Sequence, residues 1–207
     1  MATIDRWIAT WIALGVPAST RVRVLHGQLV SLYSEPQRHY HTLQHLSECF
    51  ERWAELRPHA VNPAEVEVAV WYHDAIYDTH SGENEAHSAV LACETAVELG
   101  VPRASAQRIH DLVMATRHAV EPVGPDAEAL VDTDLSILGA APTRFDEYER
   151  QVRLEYGWVP EATFRERRAD ILRGFLRRPH IFSTALFQER YEHAARANIM
   201  RSLGALE

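Results

Sequence analysis

The sequence contains no lysine: all 21 basic residues are arginine. That removes every chemistry built on an ε-amine, from the P-loop lysine to the Schiff base and the lysine general base. A coding bias toward arginine explains the absence without invoking function, and the exclusions hold either way. Cysteine is almost as scarce. Cys49 and Cys93 stand far apart, each within a helical pattern, which fits neither a disulfide framework nor a zinc cluster and suits a reducing, cytoplasmic compartment. Long apolar runs are missing too, and none approaches the ~18 residues of a membrane span. The opening MATIDRWIATWIALG is interrupted by Asp5 and Arg6 and lacks a cleavage pattern, so it reads as a helix and not as a signal peptide. Positive charge is in deficit: 21 basic against 29 acidic residues leave a net charge of -8. A chain of that balance is not expected to bind long nucleic acids or anionic membranes.

What remains is an ordinary globular composition, 46% apolar and 24% charged over 207 residues, ample for one core. Apolar residues recur at three- and four-residue spacing over 4–14 and 18–34, and again over 41–56. Asn62-Pro63 opens a helix that the pattern carries through Val70-Trp71-Tyr72-His73-Asp74-Ala75-Ile76-Tyr77-Asp78. Further helices follow to Leu99 (stopped by Gly100), over 103–118, 126–138, 142–156, 160–177 and 183–203. No segment alternates as a strand and no repeat is present. The expectation is an all-α fold, a single domain over residues 1–207 with about nine or ten helices. The oligomeric state stays open, a homodimer included.

Twelve histidines are the compositional signal to follow. His73-Asp74 and Asp78 sit in an otherwise apolar run, where a charge is costly unless it is paired or binds a metal. A capped helix end with surface acids would not explain the surrounding Val68, Val70, Trp71 and Ile76. Asp74 and Asp78, four apart in a helix, would share a face. His41 and His45 are also four apart; alone, a pair of polar core histidines explains them better than a metal does, and no HExxH is present to supply a metalloprotease base. Asp134 falls within the apolar stripe of Val131, Leu135 and Leu138, whereas Asp132 lies further round, as a capping group would. Together these are imidazoles and carboxylates from three helices, a nitrogen and oxygen set that suits Mn, Fe, Co, Ni, Zn or Mg.

Taken in order, RHYHTLQH (38–45), WYHDAIYD (71–78), NEAHSA (84–89) and DTDLSILG (132–139) resemble the HD-domain superfamily of metal-dependent phosphohydrolases, and more closely a branch of predicted HD phosphohydrolases of about this length. The C-terminal Arg177-Arg178-Pro179-His180-Ile181-Phe182 and Ala195-Arg196-Ala197-Asn198 resemble that branch as well. The resemblance spans most of the chain. It implies an HD-domain-like helical bundle with His41, His73, Asp74 and Asp134 as metal ligands. Asp78 then matches the acidic position that orients or deprotonates the attacking water, with Glu85 a second candidate. Asn84 stands where two-metal relatives carry a histidine, which implies one divalent ion per chain.

The resemblance implies hydrolysis of a small phosphorylated substrate, a nucleotide by family analogy, through a metal-activated water. Arg38, His45 and His118 would then meet phosphate charge; Arg38 could equally be a salt-bridge partner at a helix start, and His118 a helix-end histidine. Two other readings compete. An iron oxygenase on the same scaffold would need a two-iron site with more histidines, against which Asn84 argues. A non-catalytic metal- or nucleotide-binding module would not need a complete His-His-Asp-Asp set.

Overall fold

Six of the helices begin where a free N–H group finds a side-chain acceptor or where proline needs none. Thr3, Ser19 and Thr42 accept from the second or third N–H of α1 (Ile4–Ala13), α2 (Thr20–Leu32) and α3 (Leu43–Leu56). Proline opens α4 (Pro63–Tyr72), α7 (Pro125–Leu135) and α8 (Pro142–Glu155), where its missing N–H costs nothing. α5 (Asn84–Glu98), α6 (Arg103–Ala115), α9 (Glu161–Arg177) and α10 (Ala185–Leu206) complete the set. The computed structural model describes residues 1–206, and among them lie these ten α-helices, two 3-10 turns (Arg57–His59 and Ser136–Gly139) and no strand. The all-α expectation is met. No helix among the described residues is long and apolar enough to cross a membrane.

α4 is the axis of the bundle. Every residue from Glu65 to Tyr72 is buried, as expected of a helix apolar on all sides. α1, α3, α5, α6 and α7 pack around it. Its two acids are paired, as burial demands: Glu65 accepts from Arg108 at 2.6 and 2.7 Å, and Glu67 from Arg57, Trp53 and Thr10 at 2.9–3.1 Å. Trp71 packs edge-on against Trp7, with ring centroids 5.3 Å apart, and so joins α4 to α1.

α4 stops at Tyr72, six residues short of the helix expected through Asp78. The cause lies in α5. Ser88 Oγ accepts the Ile76 N–H at 3.0 Å, and Asn84 Oδ1 accepts the Asp78 N–H at 3.0 Å while its amide donates to the Asp78 carbonyl at 2.9 Å. Backbone groups that a continuing helix would use are claimed by side chains. The NEAHSA segment therefore acts on the chain that follows His73-Asp74, bending it away from the helix axis.

The C-terminal motifs are structural in the same way. Asp132 accepts from the Ser183 and Thr184 N–H groups at 2.7 Å each, capping the entry to α10. Asn198 of α10 donates to the carbonyls of Leu138 and Ala140 at 2.9 and 2.8 Å. Between these anchors the second 3-10 turn presses on α10 so closely that a Cβ on Gly139 would lie 2.8 Å from Tyr191 Cβ and 3.0 Å from its carbonyl oxygen. Gly139→Ala should therefore destabilise the fold by about 1–3 kcal/mol, the usual cost of overpacking. Urea unfolding measures this, and an unchanged midpoint would refute the close approach.

Candidate metal centre

α3, α4 and α7 pack together and bring four polar groups to one point. His45 comes from α3, His73 caps the C-terminus of α4, Asp74 is the next residue, and Asp134 sits in the last turn of α7. His45 Nε2 lies 3.1 Å from His73 Nε2, 3.4 Å from Asp74 Oδ2 and 3.2 Å from Asp134 Oδ1. His73 Nε2 lies 3.1 Å from Asp74 Oδ2 and 3.6 Å from Asp134 Oδ1. Two ligands each ~2.1 Å from one ion, at right angles or tetrahedrally disposed, stand ~3.0–3.4 Å apart. These separations are the edges of such a coordination polyhedron.

His73 Nδ1 is 2.8 Å from the Val70 carbonyl, so that nitrogen carries the proton and Nε2 turns its lone pair to the centre. Cys49 is the remaining nearby donor: His45, Cys49, His73 and Asp134 form a group whose donor atoms all lie within 4.8 Å and that could hold a metal ion. Cys49 Sγ, however, is 3.6 Å from both ring nitrogens of His45. A thiolate sharing an ion with Nε2 would stand well beyond it from Nδ1, so Cys49 packs beside the imidazole and Asp74 is the better fourth donor.

Burial alone would lower the histidine pKa values and raise those of the aspartates, and the mutual interactions overturn both trends. Cys49 first, then Asp134 and Asp74, hold His45 well above the ordinary histidine range; Asp74, Tyr33 and Asp134 do the same for His73, and the histidines, His118 among them, hold both carboxylates well below theirs. Two carboxylates set against the same imidazole nitrogens at 3.1–3.6 Å favour positive charge between them. Protons can supply it only by setting two N–H groups nose to nose across 3.1 Å; one divalent cation meets the same demand with every lone pair used. The donor set fits a first-row divalent metal.

The histidines form the floor of the centre and the carboxylates its edge. Asp74 and Asp134 border an open pocket of about 580 Å³ shared with His41, His118 and Glu85. Positions on an ion facing that pocket would be free for water and substrate. A larger groove of about 710 Å³ runs along α6 and residues 119–127. Two of its acids are paired within it, Glu65 with Arg108 and Asp126 with the Val61 and Asn62 N–H groups.

Several expected roles are redistributed. His45, assigned to phosphate, belongs to the close group, and His41, assigned to the metal, stands outside it: His41 precedes α3, and its Nδ1 is 2.7 Å from Glu155 Oε2. Asp78 does not face the centre, because the helix needed to carry it round ends at Tyr72. Its carboxylate is exposed and accepts from the His80 N–H at 2.9 Å. Arg38 is buried and its guanidinium is used up on protein, donating to the carbonyls of Asp74 (2.6 Å), Ala75 (2.8 Å) and His41 (3.1 Å) and to Glu35 (3.1 Å). It caps the end of α4 instead of meeting phosphate. His118 follows α6 with a left-handed φ of 53°, rare for a residue other than glycine, and its Nε2 is 2.9 Å from Asp134 Oδ2. Glu85 lines the pocket, and Asp132 spends both its oxygens capping the entry to α10.

Glu155 carries no motif signal, yet it organises the first of the four motifs. Its Oε1 accepts the N–H groups of His39, Tyr40 and His41 at 2.7–2.9 Å, and its Oε2 accepts the Tyr77 hydroxyl at 2.9 Å and pairs with His41. Only the reach of α8 brings it there, and no local sequence pattern reports that. Comparison with known protein families, with curated proteins and with solved structures finds no match for this chain.

Burial would raise the Glu155 pKa, but His41 and the three N–H donors hold it down at about 2. In the unfolded chain a glutamate titrates near ~4.3. Between those values the unfolded chain takes up the proton and the native one does not, so this stabilisation is complete above the unfolded value and is lost as pH falls toward 2. Glu155→Gln should flatten the acid limb of stability. Urea unfolding at about pH 5, 4 and 3 measures the slope, and an equal slope in both proteins would contradict the assignment.

Proposed function

We propose that the chain is a metal-dependent hydrolase of phosphate esters, with His45, His73, Asp74 and Asp134 holding one divalent ion. The observation that carries this reading is the convergence of two imidazole nitrogens and two carboxylate oxygens at separations of 3.1–3.6 Å, with the carboxylates at a pocket edge. The ordered resemblance of its four motifs to HD phosphohydrolases supports phosphate chemistry over other metal-assisted hydrolyses. When bound, such an ion neutralises a phosphoryl oxygen and acidifies water.

The chain's own groups supply the rest. Asp74 and Asp134 present their free edges to the pocket, and His118 holds the second oxygen of Asp134 in place. Arg167 lies on the pocket wall, where its guanidinium would meet phosphate oxygens in its plane; Arg117, also on the wall, is paired with Glu83 and the Gly82 carbonyl. Tyr156, Trp158, Phe164 and Phe175 line the pocket as apolar and aromatic surface, which suits the base of a nucleotide or another flat group.

The test is a screen for phosphate release from nucleotides and simple phosphomonoesters, with Mg, Mn, Fe, Co, Ni and Zn supplied in turn and bound metal measured by elemental analysis. One ion per chain and turnover with at least one metal are expected. Asp134→Ala and His45→Ala should weaken metal binding by more than the ~10–100-fold typical of outer-sphere partners, and abolish turnover with it. No phosphate release with any metal would sink the hydrolase reading. Two irons per chain with oxygen consumption would replace it by the oxygenase, and tight nucleotide binding without turnover by the binding module.

A further inference from the structure

We propose that His41 is the proton carrier of this hydrolysis and that Glu155 is the residue that positions it. The inference rests on the hydrolase reading above. Asp78, the acid expected to move the proton, is turned to solvent and to His80, so another group must act beside the centre. His41 borders the same pocket as Asp74 and Asp134. Unlike His45 and His73, its ring nitrogens take no part in the close group.

The His41 ring is held from three sides. Tyr77 stacks on it with centroids 4.1 Å apart and planes 28° apart, and Tyr40 meets it edge-on at 4.8 Å. Glu155 Oε2 receives Nδ1 at 2.7 Å. The Glu155 side chain is wholly buried, and five donors converge on its two oxygens: three backbone N–H groups, the Tyr77 hydroxyl and His41 Nδ1. A carboxylate so surrounded stays ionised and can only accept, so Nδ1 bears the hydrogen and Nε2 the lone pair. Among the described residues no group pairs with Nε2, and it is not a sealed, unpaired polar atom. With 21% of the side chain exposed, that nitrogen opens on the pocket. His118, the other histidine on the wall, is engaged with Asp134.

The chemistry follows the tautomer. As a water oxygen forms its bond to phosphorus, Nε2 accepts one of its protons. The bond from phosphorus to the leaving oxygen breaks, and its electron pair stays on that oxygen. The imidazolium, stabilised by Glu155, then passes that proton to water in the pocket, the leaving oxygen on the far side of phosphorus takes a proton from the same pocket water, and His41 returns neutral. Ester and water give alcohol and phosphate, with no other reactant required. Glu155 touches neither substrate nor water and acts only through the ring it orients.

The test uses the metal-loaded full chain, with His41→Gln, His41→Ala and Glu155→Gln. All three should keep the wild-type metal content, while kcat falls ~10²–10⁴-fold, the range for loss of a general acid or base. KM should change much less, because the lost interaction belongs to the transition state. Added imidazole should restore part of the turnover of His41→Ala. In the metal-free protein, nitrogen-15 NMR should find the hydrogen of neutral His41 on Nδ1, and Glu155→Gln should shift that preference. A folded His41→Gln that loses its metal would make His41 a ligand and overturn the proposal, as would unchanged kcat. Where a variant fails to fold, the wild-type spectrum decides: neutral His41 with its hydrogen on Nε2 overturns the positioning. Wild-type protein without turnover under every metal overturns the hydrolase reading, and the inference with it, before any variant is compared.

Discussion

Asp74 and Asp134 are two carboxylates within reach of the same pair of imidazoles, and like charges in so small a space repel unless positive charge lies among them. Much of the surrounding structure answers to that constraint. Asp134 divides its oxygens, Oδ1 toward the histidines and Oδ2 toward His118, and so presents one lone pair to the centre. His73 spends Nδ1 on the Val70 carbonyl and keeps Nε2 for the centre. Each group is thereby fixed by a second bond that leaves one donor atom free, the arrangement by which outer partners orient metal ligands.

A second layer holds the elements that carry those groups. Arg38 and Glu155 do comparable work from opposite charge: a buried guanidinium gathers the carbonyls at the end of α4, and a buried carboxylate gathers the N–H groups ahead of α3. Both satisfy backbone groups that an irregular turn would otherwise leave unpaired in the interior, where each would cost about 1–3 kcal/mol. Irregular backbone can therefore sit next to the centre without water.

The helices were legible because apolar spacing is a local property, and His73, Asp74 and Asp134 were legible as polar groups set in apolar runs. The choice between His41 and His45 was not. Both recur at helical spacing, and only the start of α3 at Leu43, together with a partner 114 positions away in the chain, separates them. Asp78 misled for a related reason: the four-residue argument assumes a helix, and Asn84 and Ser88 end that helix through bonds that no periodicity records. Arg38 resembled a phosphate contact because arginine suits phosphate, yet its partners here are carbonyls, which every residue possesses. Asp132 read as a capping group and is one, although the helix it caps is α10 and not its own.

The early end of α4 is also what makes the His73-Asp74 doublet usable. Adjacent residues inside a helix point about 100° apart, so they meet one ion poorly. His73 is the cap, still helical in its own backbone, and Asp74 is the first residue beyond it. Asp74 is then held by its backbone: its N–H donates to the Tyr33 hydroxyl at 3.3 Å and its carbonyl accepts from Arg38 at 2.6 Å. Tyr33 in turn donates to the Trp71 carbonyl at 3.1 Å, so one side chain spans the last turn of the helix and the residue beyond it. In a continuous helix through Asp78 the Asp74 N–H would be committed to the Val70 carbonyl, which here accepts His73 Nδ1 instead. By stopping the helix, Asn84 and Ser88 of the third motif allow both residues of the second motif to face a single point.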